Sequence, residues 1–127
     1  MTKDYEAVHQ VISRYLDGLY EADSTQLRTV FHPGACYLNT VEGDEVCLSI
    51  DEYLRQVDQR VPPAQTKDIR VENILSVEFG SDTMAFVKLQ MQMFERRYTD
   101  FLTFIRWEGA WVIAAKVFSY CPLERNE

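Results

Sequence analysis

The sequence predicts an α+β protein in which three N-terminal helices are followed by a mainly antiparallel sheet. One change of pattern carries this. Before Pro62-Pro63, apolar residues recur in stretches at three- and four-residue intervals, as on a helix face. After the prolines the period becomes two, as on a half-buried strand. Composition agrees: 46% of the 127 residues are apolar and 13% aromatic. That suffices for one core in one domain over residues 1–127 and is unlike a disordered chain.

Tyr5, Val8, Val11, Ile12, Tyr15, Leu16 and Leu19 define a first helix from about Asp4 to Glu21. Gly18 inside it costs about 1 kcal/mol relative to Ala, and is expected to let another element approach closely. Asp23, three residues before Gln26, opens a short second helix through about Val30, burying Leu27, Val30 and Phe31. His32-Pro33-Gly34 ends it. Ala35 to Val41 reads as a strand, turned by Glu42-Gly43-Asp44 into a second near Val46 to Leu48. Ser49 with Glu52 forms a capping box for a third helix, Ile50 to about Arg60. The two prolines stop it.

Ile69, Val71, Ile74, Leu75, Val77 and Phe79 form a strand with an irregularity near Asn73, and Gly80-Ser81-Asp82 turns it. Three long strands follow: Ala85 to Met93, Arg97 to Trp107 and Ala110 to Tyr120, the last two joined around Glu108-Gly109. The tail, residues 122–127, is polar and expected to be flexible. Counting outward from Glu108-Gly109 pairs Trp107 with Ala110, Arg106 with Trp111, Phe104 with Ile113, Leu102 with Ala115 and Asp100 with Val117. One face then carries Tyr98, Asp100, Leu102, Phe104, Ile113 and Ala115. The other carries Thr99, Phe101, Thr103, Ile105, Val112, Ala114, Lys116 and Phe118. Both are largely apolar, so a second copy covering the outer face, a homodimer, is expected.

Charge and motifs narrow the functions. With 13 basic against 20 acidic residues, the net charge of −7 opposes nucleic-acid binding and adhesion to anionic membranes. No apolar run is long enough to span a bilayer. The opening Met-Thr-Lys-Asp-Tyr-Glu lacks the apolar core of a secretory signal. Cys36, Cys47 and Cys121 are odd in number and lack a CxxC spacing, so neither a disulfide framework nor a zinc site is expected. Cys36 and Cys47 read as small strand hydrophobes, and the protein as cytoplasmic with reduced thiols. His9 and His32 lack metal-ligand spacing, and the five glycines form no phosphate loop. Neither metal nor cofactor is expected.

The stretch Tyr15-Leu16-Asp17-Gly18-Leu19, with Asp23, Leu27 and Phe31-His32-Pro33-Gly34-Ala35, resembles the opening of the nuclear transport factor 2-like superfamily. Tyr98-Thr99-Asp100-Phe101-Leu102, Glu108-Gly109-Ala110-Trp111-Val112-Ile113 and Lys116-Val117-Phe118 are similar to the ending of its putative lumazine-binding branch, near the SnoaL-like proteins. The resemblance spans about Tyr5 to Phe118. It implies a cone-shaped, cystatin-like fold, its three helices packed on a strongly bent sheet, with a cavity at the wide end. The superfamily includes isomerases, dehydratases, cyclases, binding modules and protein adaptors, so function must be read from the site.

The candidate ligand-binding residues are Tyr15, Tyr37, Tyr53, Met91, Tyr98, Asp100 and Phe104: rings and a thioether for a flat apolar ligand, with a few polar anchors. Asp100 is a carboxylate on an otherwise apolar strand face, where burial favours its protonated form and suits it to proton transfer. His32 titrates near neutral pH and is a candidate base at the cavity mouth; capping the second helix is its structural alternative. By resemblance to ketosteroid isomerases, Asp100 and Tyr15 match a strand Asp and a first-helix Tyr that hold an enolate oxygen. The base aspartate of those relatives falls on Asn39, which cannot take a proton. Lys116, on the outer face in this register, is expected to pair across the dimer. Arg96-Arg97 reads as a solvated strand end. Three functions stay open. The first is a binding protein holding an apolar or aromatic ring compound. The second is a cofactor-free isomerase, dehydratase or cyclase using Asp100, His32 and Tyr15. The third is a protein-interaction module with a filled cavity.

Overall fold

A computed structural model describes residues 2–123. The element order is α1 (Thr2–Glu21), α2 (Ser24–Val30), β1 (Phe31–Asn39), β2 (Val46–Ser49), α3 (Ile50–Gln59), β3 (Val71–Ser81), β4 (Met84–Met93), β5 (Arg96–Trp107) and β6 (Ala110–Pro122). The strands form one six-stranded sheet in the order β2-β1-β6-β5-β4-β3. β1 runs parallel to β6, and every other pair is antiparallel. The sheet curls without closing, and the architecture is α+β.

Local chemistry sets the helix boundaries. The Asp23 side chain accepts from the Gln26 N–H at 3.1 Å and starts α2. At α3, Ser49 Oγ accepts from the Glu52 N–H and Glu52 Oε1 from the Ser49 N–H, both at 3.2 Å, which completes the capping box. Val8, Val11, Ile12, Tyr15, Leu16 and Leu19 bury one stripe of α1. They pack in one core with Leu27 and Val30 of α2, Tyr53, Leu54 and Val57 of α3, and the inward residues of β1, β4, β5 and β6. Gly18 admits a neighbour as anticipated: a Cβ there would sit 2.8 Å from the side chain of buried Leu27.

Several boundaries differ from the sequence reading. β1 begins at Phe31, which pairs with Ile113; the His-Pro-Gly stretch is an irregularity inside the strand, between Phe31 and Cys36. β3 is irregular between Ile74 and Ser76 and again between Phe79 and Ser81, and Ile69 lies outside the strand, exposed. β6 extends through Pro122, and the Leu123 N–H donates to the Glu95 carbonyl at 3.1 Å. The rest of the expected tail lies outside the described residues. Cys36 and Cys47 sit in strands but are exposed, like Cys121, so they contribute no core.

The most consequential correction is in the last hairpin. Trp107, Arg106 and Phe104 pair with Ala110, Trp111 and Ile113 as counted, but Thr103 then pairs with Ala115. Ala114 is an extra residue, a bulge that bends the strand and reverses its side-chain phase. Leu102 therefore faces Lys116 and Asp100 faces Phe118, where Ala115 and Val117 were expected. Lys116 and Phe118 point inward and are buried, while Ala115 and Val117 move outward. Val112-Ile113-Ala114-Ala115 is apolar at every position, so alternation cannot reveal the phase change. The outer face keeps Phe86, Phe101, Ile105 and Val117, with Phe101 43% exposed. Lys116 is not on it.

Candidate functional site

The inward face of β5 presents Tyr98, Asp100, Leu102 and Phe104 in succession, all buried. Asp100 is fully buried, with Tyr15 of α1 above it: the Tyr15 hydroxyl donates to Asp100 Oδ2 at 2.5 Å. Lys116 Nζ lies 4.0 Å from the same oxygen, and the side chains of Lys116 and Asp100 are 6% and 1% exposed. The other carboxylate oxygen, Oδ1, has no partner.

The ammonium is held in an aromatic cage. It lies 5.2 Å from the ring centre of Tyr15, 5.4 Å from Tyr37, 5.5 Å from Tyr53 and 4.9 Å from Phe118. Tyr37 and Tyr53 stack at 4.2 Å and 19°. Ring faces and a carboxylate both attract an ammonium. The phenols stay neutral. Burial and the adjacent Asp100 carboxylate hold Tyr15 far above the ordinary tyrosine range. Burial pushes Tyr37 up to about 12 against the opposing pull of Lys116, and Tyr53 to about 12 against Arg60. The Tyr53 hydroxyl is buried without a hydrogen-bond partner.

Outside this cluster, at the mouth of the cone, a cleft of about 290 Å³ opens. Tyr37 and Phe118, two rings of the cage, line it together with Tyr98, from β1, β6 and β5. Gln56 and Arg60 at the end of α3, and Phe94 and Arg96 at the β4–β5 turn, also line it. Asn39, Asp44 and Tyr120 complete the rim. Asn39 holds this rim together: its Nδ2 donates to Asp44 Oδ2 and its Oδ1 accepts from the Val41 N–H, both at 2.9 Å. Tyr120 also donates to Asp44 Oδ2.

The structure thus brings Tyr15, Tyr37, Tyr53, Tyr98 and Asp100 to one end of the interior. Met91 pairs with Tyr98 on the neighbouring strand and is buried. Phe104 lies deeper, fully buried beside Ile113. His32 is not brought to the mouth. Its ring packs edge-on against Trp107, with centroids 4.6 Å apart, and its Nδ1 accepts from the Gly34 N–H at 2.9 Å. Trp107 belongs by alternation to the outer face. It is seven residues along β5 from Asp100, roughly 23 Å at the rise of a strand. Asp100 and His32 therefore do not converge on one space. Asp100 itself lies behind the cleft floor, whose lining stops at Tyr37, Tyr98 and Phe118.

The sequence reading missed three cations of this region. Lys116 was hidden by the bulge. Arg60 looked like a helix-end residue and Arg96 like a strand end, with no local signal that the fold sets both on one cleft. Among the described residues no cluster of three or more His, Cys, Asp and Glu side chains could hold a metal. None of the described helices is long and apolar enough to cross a membrane.

Comparison with known proteins follows the same lines. A family model described as "Putative lumazine-binding" matches residues 3–119. An aldolase, FrzH from a Cladobotryum species, is 27% identical over 123 residues, covering 95% of this chain and 94% of that protein. A nuclear transport factor 2-like protein of unknown function from Silicibacter pomeroyi superposes with a TM-score of 0.84 at 21% identity, covering 94% of this chain and 98% of the other. One from Shewanella baltica, also of unknown function, gives 0.83 at 24% identity, covering 95% and 96%.

Proposed function

We propose, from the premise that the chain belongs to the "Putative lumazine-binding" family of the nuclear transport factor 2-like superfamily, that it holds a small ring compound in the cleft at its cone mouth. The observation carrying this reading is the cleft itself: about 290 Å³, floored by Tyr37, Tyr98 and Phe118. Rings that face an open cleft offer stacking surface and hydroxyl anchors, the usual make-up of a small-molecule site. Behind them, the buried Tyr15–Asp100–Lys116 cluster fixes the floor. Gln56 is exposed on one wall, so Gln56→Trp fills the cleft without entering the core. Native mass spectrometry against a panel of planar ring compounds tests the reading. Retention by the wild type and loss in Gln56→Trp is the expected result; equal retention in both would place the ligand elsewhere.

A second reading is favoured by the partnerless Asp100 Oδ1 and the aldolase relative. In it the protein is a cofactor-free catalyst acting on a carbonyl compound that enters past Tyr37, Tyr98 and Phe118, with Asp100 moving the proton through Oδ1 and Tyr15, whose one O–H goes to Asp100 Oδ2, holding that carboxyl in place. His32 takes no part. An activity of this kind should vanish in Asp100→Asn and survive in His32→Gln. Turnover unchanged by Asp100→Asn would contradict it.

The reading extends to assembly and place. A second copy seated on Phe86, Phe101 and Val117 gives a homodimer, and three exposed free thiols suit the reducing cytoplasm.

A further inference from the structure

The cleft holds more than rings, and its charge carries an inference about the ligand that rests on the binding reading above. Arg60 and Arg96 come from different elements, the C-cap of α3 and the first residue of β5, yet line the same space. Each guanidinium is pinned by aromatic faces. Arg60 lies 5.8 Å from the ring centre of Tyr53 and 5.6 Å from Phe94. Arg96 lies 4.1 Å from Tyr120 and donates to the Tyr98 hydroxyl at 3.4 Å. Among the described residues neither forms a salt bridge.

Asp44 is the one acidic residue among those lining the cleft, and its Oδ2 already accepts from Asn39 and Tyr120. The lining therefore carries two positive charges against one negative, inside a chain of net charge −7. Helix capping accounts for Arg60 and ring stacking for Arg96 taken singly. Neither accounts for both facing one void. Five N–H donors in a planar fork make arginine suited to an oxyanion, and side chains already held by rings lose little freedom on binding.

We propose that the cleft takes a planar ring compound bearing one acidic group, a carboxylate or sulfonate, with that group between Arg60 and Arg96 and the ring on the aromatic floor. Two fluorescent probes separate the charge from the ring: 1-anilinonaphthalene-8-sulfonate and its uncharged analogue N-phenyl-1-naphthylamine. Both are titrated into wild type, Arg60→Gln, Arg96→Gln, the double variant and Gln56→Trp, each checked for native circular dichroism.

The wild type should prefer the sulfonate, and each Arg→Gln change should weaken it roughly tenfold or more. The double variant should bind both probes alike, with affinity for the uncharged probe kept, and added salt should weaken only the sulfonate. Equal wild-type affinities, or a preference that survives in the double variant, would overturn the acidic-ligand proposal. Binding of both probes that Gln56→Trp leaves unchanged, or binding of neither, would overturn the cleft reading and this proposal with it.

Discussion

Lys116 and Asp100 are a buried ion pair: their side chains are 6% and 1% exposed. Removing one member leaves an uncompensated charge, whereas replacing both with neutral groups does not. Lys116→Met should therefore cost about 3–5 kcal/mol, and Asp100→Asn with Lys116→Met clearly less than the sum of the single changes. Urea unfolding of the four proteins checks this; additive losses would show that the two do not interact. Tyr53 gives a pH test. Tyr37 and Tyr53 keep their protons to about 12, while tyrosines of an unfolded chain release theirs near 10. Between those values the native state binds more protons, so their contribution is complete below about pH 10 and is lost as pH rises through 12. Tyr53→Phe should make that alkaline loss shallower. At neutral pH it should be at least as stable as wild type, because the missing hydroxyl had no partner. Unfolding midpoints from neutral to alkaline pH report both. At this scale Asp100 was legible, since an acid on an apolar strand face needs a partner, and the resemblance to ketosteroid isomerases named Tyr15 as that partner. Lys116 was not, because its face depends on a bulge that an all-apolar run conceals.

Close packing between elements decides whether α1 and α2 tolerate an ordinary residue at Gly18. Alanine is favoured over glycine in a helix by about 1 kcal/mol, but its Cβ would lie 2.8 Å from the fully buried Leu27 side chain. The clash should win, and Gly18→Ala should lower stability by about 1–2 kcal/mol net; a thermal midpoint equal to or above the wild type would contradict this. Helix starts were readable because Asp23 and Ser49 advertise them chemically. Strand boundaries were less so. Phe31 pairs with Ile113 across a Pro-Gly stretch that looks locally like a terminator, and only a neighbouring strand can supply the bonds that overrule it.

For the whole molecule, the curled sheet and its helices leave two distinct surfaces. The inner one ends in the cleft. The outer one shows Phe101 edge-on to Phe86, with centroids 5.6 Å apart and Lys88 5.7 Å from the Phe101 ring centre. A homodimer through this face predicts that Phe101→Glu shifts the mass in analytical ultracentrifugation from dimer to monomer while leaving ligand retention in place. A wild-type monomer would contradict it. The cone plan was legible because the whole chain shares one order of helices and strands. The cleft was not, since Arg60 and Arg96 are 36 residues apart and meet only in the folded chain. Its role is tested most directly by mapping amide shifts of the 15N-labelled protein during titration with 1-anilinonaphthalene-8-sulfonate. The account predicts shifts concentrated at Tyr37, Gln56–Arg60, Phe94–Tyr98 and Phe118–Tyr120. Shifts confined to the outer face around Phe86 and Phe101, or none at all, would contradict it.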